Sequence, residues 1–202
     1  MSYNLTHIIE AVLLSASRPL AISDLVSLFE DDDKPTKDEI LNSLREIEIQ
    51  TENRGIELKK VSSGYRLQVK QDLSLFVAKL WEERPNRLSK ATLETLALVA
   101  YRQPITRGEI EDIRGVSIST QMIRGLVDRG WIKIVGRRDV PGKPSLYATT
   151  RDFLDYFGLQ HLRELPNLPN LGDSESLEIE LQLENEDKRE EGSQDIIIPS
   201  NN

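Results

Sequence analysis

Two stretches of this chain repeat one another, and the repeat limits what the chain can fold into. "EAVLLSASRPLAISDL" begins at Glu10 and "ETLALVAYRQPITRGEI" begins at Glu94. Each runs from a helical Glu to a Pro, then to an aliphatic residue, then to Asp24-Leu25 or Glu109-Ile110. The correspondence resumes with "NRGIELK" (Asn53 to Lys59) and "DRGWIKI" (Asp128 to Ile134). A copy of about 80 residues buries only a modest core, so each half is expected to lean on a neighbouring domain or a second copy.

Periodicity fills in the repeated unit. Leu5, Ile8, Ile9, Val12 and Leu13 follow the i, i+3, i+4, i+7 spacing of one helical face, as do Leu93, Leu96, Ala97, Ala100 and Tyr101. Proline after each of these helices stops it and starts a turn. Thr106-x-x-Glu109 reads as a capping box that opens a second helix. Ile40, Leu41, Leu44 and Ile47 mark a third helix in the first half; Met122, Ile123, Leu126 and Val127 mark its counterpart. Gly55 and Gly130 fit a helix C-terminus, where a positive φ is needed. "IELKKVSSGYRLQVK" then predicts a hairpin turning at Ser62-Ser63-Gly64. "WIKIVGRRDVPGKPSLYATT" predicts one with a longer tip. A closing helix follows each hairpin. The first spans Leu73 to Glu83, with Leu73, Phe76, Val77, Leu80 and Trp81 on its apolar face; the second spans Asp152 to Leu165, with Thr149 as its cap.

Three helices and a two-stranded wing, repeated, give the expected fold: α+β, mainly α, with two tandem winged-helix domains. The expected boundaries are 1–86, 87–165 and an acidic tail over 166–202. The halves differ mainly by the acidic insert "EDDDKPTKDE", read as a solvated loop. The tail is charged and poor in aromatics, which predicts disorder. Leu177, Ile179, Leu181 and Leu183 nevertheless alternate with polar residues at a strand period.

Composition narrows the chemistry. There is no cysteine, so thiolate catalysis, disulfides and cysteine–zinc sites are excluded. His7 and His161 lie in separate helical segments without metal-ligand spacing. No nucleophile–His–Asp ordering and no phosphate-binding Gly-Lys-Ser/Thr element occurs. The sequence therefore reads as a non-enzyme without cofactor, metal or small-molecule ligand. The apolar run at the N-terminus lacks a basic region before it, and no apolar stretch approaches membrane-spanning length. The expected location is the cytoplasm, with no membrane partner.

The net charge of −8 is carried by residues 172–202, which hold ten acids and two bases. Residues 1–86 have 15 acids and 11 bases, whereas residues 87–171 have 9 acids and 13 bases. A winged helix raises the question of DNA. The third helix of the second half would present Gln121 and Arg124 to base edges, with Arg138 and Lys143 on the wing reaching phosphates. Asp128 opposes that reading, and the glutamates of "KDEILNSLREIEIQTEN" oppose it more strongly in the first half. Protein contact is the other use of such a surface. Tyr101, Trp131, Tyr147, Tyr156 and Phe157 concentrate aromatic area in the second half, where aromatics and arginine anchor interfaces. Trp131 and Phe157 are expected in the core; Tyr101 and Tyr147, whose phenols need water or a partner, are expected at its rim.

"ETLALVAYRQPITRGEIEDIRGV" together with "GRRDVPGKPSLYATTRDFLDYFGLQHLRELPNL" resembles the segregation and condensation protein B family, winged-helix subunits of the bacterial SMC–kleisin condensin. The resemblance spans roughly residues 5–170 and leaves out the tail. It implies a homodimer formed mainly by the first domain, acting at the nucleoid in chromosome condensation and segregation. It also implies binding to the middle segment of the kleisin, segregation and condensation protein A, and through the kleisin to the SMC ATPase. On the matched motifs, Tyr101, Arg102, Gln103, Arg137 and Tyr147 are the expected kleisin-facing residues. DNA contact is expected to be weak or confined to the assembled complex. A sequence-specific winged-helix regulator remains the alternative.

Overall fold

The computed structural model describes residues 4–30, 33–80 and 88–167. Three expectations lie outside them: the domain boundary near Pro85, Trp81 and its neighbouring glutamates, and the strand-period segment of the tail. Asp31 and Asp32 of the acidic insert also lie outside.

The architecture is mixed α+β with small sheets. In the first half, α1 (Leu5–Ser15), α2 (Ile22–Val26) and α3 (Lys37–Thr51) precede a hairpin of β1 (Ile56–Val61) and β2 (Gly64–Val69). Asn4 caps α1, and Thr36 with Glu39 forms a reciprocal capping box on α3. The short α4 (Ser74–Ala78) follows. In the second half, α5 (Lys90–Arg102), β3 (Ile105–Thr106), α6 (Arg107–Arg114) and α7 (Thr120–Asp128) precede β4 (Ile132–Arg137), β5 (Ser145–Thr149) and α8 (Arg151–Tyr156). The strand order is β3-β5-β4, antiparallel throughout. Ile105 pairs with Tyr147 in that sheet, and Leu20 bridges to Tyr65 at the equivalent place in the first half. The aliphatic residue after each proline thus adds a backbone rung to the hairpin.

The described residues up to Leu165 belong to one compact unit. Within it two buried clusters stand apart. Ile9, Leu13, Leu25, Ile40, Leu44 and Ile47 form one. The other is centred on Val99, Ile110, Ile118, Leu126, Ile132 and Phe153. The halves touch through the first hairpin turn. The Ser62 N–H donates to the Leu159 carbonyl at 3.0 Å, and the Ser63 N–H donates to Asp155 Oδ1 at 2.9 Å. Asp155 is itself buried.

Several expectations need correction. The closing helix of the first half is brief, and Leu73, Phe76 and Leu80 are exposed rather than packed, Phe76 at 68%. The last helix stops at Tyr156, and Gly158 turns the chain with φ +70°. Its cap is Thr150, whose side chain accepts the Phe153 N–H; Thr149 ends β5. Gly130 has the expected positive φ directly after the C-cap Arg129, but Gly55 does not; it lies three residues beyond Glu52, the C-cap of α3. Helix faces are rotated slightly from the sequence pattern: Thr95 and Val99 are buried in α5, while Leu93 and Ala97 are exposed. Val127 is 40% exposed, and so is much of Phe157.

Candidate functional site

The first matched motif lies where α5 runs into β3. Ser89 caps α5 at its start, and the helix ends at Arg102, one residue before the cis Gln103–Pro104 bond. Tyr101 is half-buried and engaged with neighbours, while Arg102 is exposed. Gln103 faces inward. Its Oε1 accepts both the N–H of Thr149 at 2.9 Å and the Thr149 hydroxyl at 3.0 Å, and its Nε2 donates to the Ala100 carbonyl at 2.9 Å. One amide therefore ties the end of α5 to the end of β5. Losing it would strand the Thr149 backbone donor, the costly half of a broken hydrogen bond.

The second motif is the wing itself. Tyr147 sits mid-strand in β5, opposite Ile105 on one side and Ile134 on the other, and packs against the core of the second half. Arg137 is exposed and pairs through its backbone with Ser145 where the wing opens. The register slips between Ile134 and Gly136, which bends β4 on the way out. Gln103 and Thr149 thus meet at the end of β5, Tyr147 lies two residues further in, Arg102 is the last residue of the adjoining helix, and Arg137 lies further along the wing.

Sequence reasoning missed the clamp at the wing root. Arg138 Nη2 contacts both carboxylate oxygens of Glu109, at 2.5 and 2.8 Å. Glu109 is also the capping-box acid of α6, accepting the Thr106 N–H at 2.8 Å. The Thr106 N–H first, and the Arg138 guanidinium next, hold the Glu109 carboxyl below the usual carboxylate range. The capping box was legible; a partner 29 residues away was not. A similar knot ties α6 to the turn before α7. Glu111 accepts the Ile118 N–H at 2.6 Å and Arg107 Nε at 3.0 Å, and Arg107 also reaches Thr120 Oγ1 at 3.1 Å.

These contacts bear on the nucleic-acid candidates. Arg138 is held by Glu109, and Arg124 lies 3.8 Å from Asp128 on the same face of α7. Gln121 and Lys143 are exposed, Lys143 at the wing tip with φ +40°. Each of the two arginines thus has an acidic partner beside it. Aromatic area lies elsewhere: Trp131, buried, packs at a tilt against Tyr156 and Phe157 with ring centroids 4.5 and 5.6 Å away, and Tyr156 is 61% exposed. Among the described residues no group of three or more His, Cys, Asp or Glu could hold a metal, and no helix is long and apolar enough to cross a membrane. What the surface offers is half-buried aromatics, exposed arginines and strand edges, groups suited to gripping polypeptide.

Comparison with known proteins gives a consistent result. The family model for "Segregation and condensation complex subunit ScpB" matches residues 7–168. A "Segregation and condensation protein B homolog" from Coxiella burnetii is 46% identical over 196 residues, covering 95% of this chain and 94% of its own. A "Segregation and condensation protein B" from Clostridium tetani is 41% identical, covering 81% of this chain and 86% of its own. The crystal structure of ScpB from Mycobacterium tuberculosis is 32% identical, covers 79% of this chain and 99% of its own, and gives a TM-score of 0.35.

Proposed function

Because this chain belongs to the ScpB family of segregation and condensation complex subunits, we propose that it is a noncatalytic subunit that braces the kleisin of a bacterial SMC condensin. A role in chromosome segregation and condensation comes with the family itself. The finer reading is that the chain works as a homodimer through its first half. It takes the middle segment of segregation and condensation protein A on its second half, and meets the SMC ATPase through that kleisin. It acts on the nucleoid in the cytoplasm, with DNA contact weak or confined to the complex.

The observation that carries this reading is the continuous family match across both halves. The repeated order of three helices and a hairpin, with an added backbone rung in each half, supports reading residues 1–86 and 87–165 as tandem winged-helix domains. The kleisin-facing residues proposed are Tyr101, Arg102, Gln103, Arg137 and Tyr147. Gln103 acts there by fixing the end of β5, the strand that carries Tyr147, since its amide is bonded within the protein.

Isothermal titration of the kleisin middle segment into this chain tests the face. Replacing Tyr101 and Arg102 together with Ala is expected to weaken binding at least tenfold, the loss of a hot-spot pair. Unchanged affinity in a variant with wild-type circular dichroism moves the kleisin site off this face.

A further inference from the structure

The first half carries a concave surface to which the proposed function assigns no residue. A groove of about 890 Å³ opens between α2, the start of α3 and the hairpin turn, with Ile22, Val26 and Val61 among its apolar lining. A smaller one of about 320 Å³ continues along α3 past Leu44. The two meet at Leu41, Lys60 and Tyr65, which line both. Together they make an elongated trough between α3 and the hairpin.

Its charge is the reverse of its surroundings. Residues 1–86 have more acids than bases. The charged side chains of the trough are nevertheless Lys34, Lys37, Lys60 and Arg45, with Glu48 the one acid among them. Lys60 holds its ammonium 5.8 Å from the centre of the Tyr65 ring, over the apolar floor. Serines 23, 27, 62 and 63 add hydroxyls along the walls. An apolar floor with a cationic rim selects a ligand that is apolar along one side and anionic along the other. Two adjoining hollows that share three lining residues suit a chain segment better than one compact molecule.

We propose that this trough is a docking site for an acidic peptide segment of a partner protein, one that alternates or intersperses apolar residues with Asp and Glu. The apolar side chains lie on Ile22, Leu41 and Val61, and the carboxylates face Lys37 and Lys60. The site is lined by first-half residues alone, none of them in the proposed kleisin face, so it stands whether or not that face does.

The test uses the full chain and two short fluorescent synthetic peptides, one alternating leucine with glutamate and the other leucine with lysine. Anisotropy is expected to show saturable binding of the Leu–Glu peptide, at least tenfold tighter than the Leu–Lys peptide. Lys37→Glu with Lys60→Glu is expected to weaken it about tenfold, as loss of charge complementarity at an apolar site does. Both lysines are exposed, so the variant keeps its fold, which circular dichroism verifies. Absence of saturable binding, equal affinity for both peptides, or indifference to the two substitutions overturns the proposal. So does a change in the solution mass of the variant, which would make the trough a seat for a second copy of the chain.

Discussion

Glu109 shows how much a single side chain can join in this molecule. It closes the capping box of α6 and receives Arg138 from the root of the wing. With its pKa held below the usual range by the Thr106 N–H and Arg138, the folded protein binds this proton less readily than the unfolded chain. The stability it contributes is present above the unfolded pKa, about 4.3, and is lost as pH falls through the lower folded value. Glu109→Gln is therefore expected to lower Tm by a few degrees at pH 7. The gap to wild type should close as the pH is lowered through the carboxylate range in a melting series. A gap that stays constant with pH would mean the carboxylate charge is irrelevant there. At this scale the sequence was half legible: Thr106-x-x-Glu109 announces a cap, whereas Arg138 looks like a solvent-facing wing arginine until the fold brings it to Glu109. The same holds for Gln103, which belongs to a surface motif and yet hydrogen-bonds inward to Thr149.

At the scale of elements, the hairpins were readable because their turns are local. Ser62-Ser63-Gly64 predicts the reversal, and Val61 does pair with Gly64. The reason for glycine there was not readable. Its φ is +148°, and a Cβ on it would lie 2.1 Å from the Leu20 carbonyl oxygen, so the turn and the rung from Leu20 need the same empty space. Gly64→Ala is expected to cost on the order of 3 kcal/mol in chemical denaturation, from backbone strain and the clash together. A loss under about 0.5 kcal/mol, within the range of ordinary surface substitutions, would show that the close approach is dispensable. β3 is only Ile105–Thr106 and Leu20 makes a lone bridge, both too short to leave a period, so the rungs at Leu20 and Ile105 went unseen. The helix after β2 was misjudged for another reason. Leu73, Phe76 and Leu80 have helical spacing, but spacing reports an apolar side without saying what covers it, and here that side is exposed.

For the whole molecule, the duplication predicted two cores, and two buried clusters are present, one built around Ile9 and Ile40 and one around Val99 and Leu126. What joins them was beyond sequence reasoning, because the contact is made by backbone N–H groups. The first hairpin turn donates to the buried Asp155 carboxylate and to the Leu159 carbonyl. Asp155→Ala removes the acceptor for Ser63, and hydrogen exchange at the Ser63 amide is expected to quicken at least tenfold while the β1–β2 ladder stays protected. Unaltered exchange at Ser63 would show that the halves are held by other contacts. The proposed function has one small unit copied and its surfaces turned to holding polypeptide within a segregation and condensation complex. Co-expression with the host's segregation and condensation protein A, followed by native mass measurement, tests this most directly. The predicted result is a stable complex containing a homodimer of this chain and the kleisin; a chain that purifies without kleisin, at a mass unchanged by its presence, would contradict it.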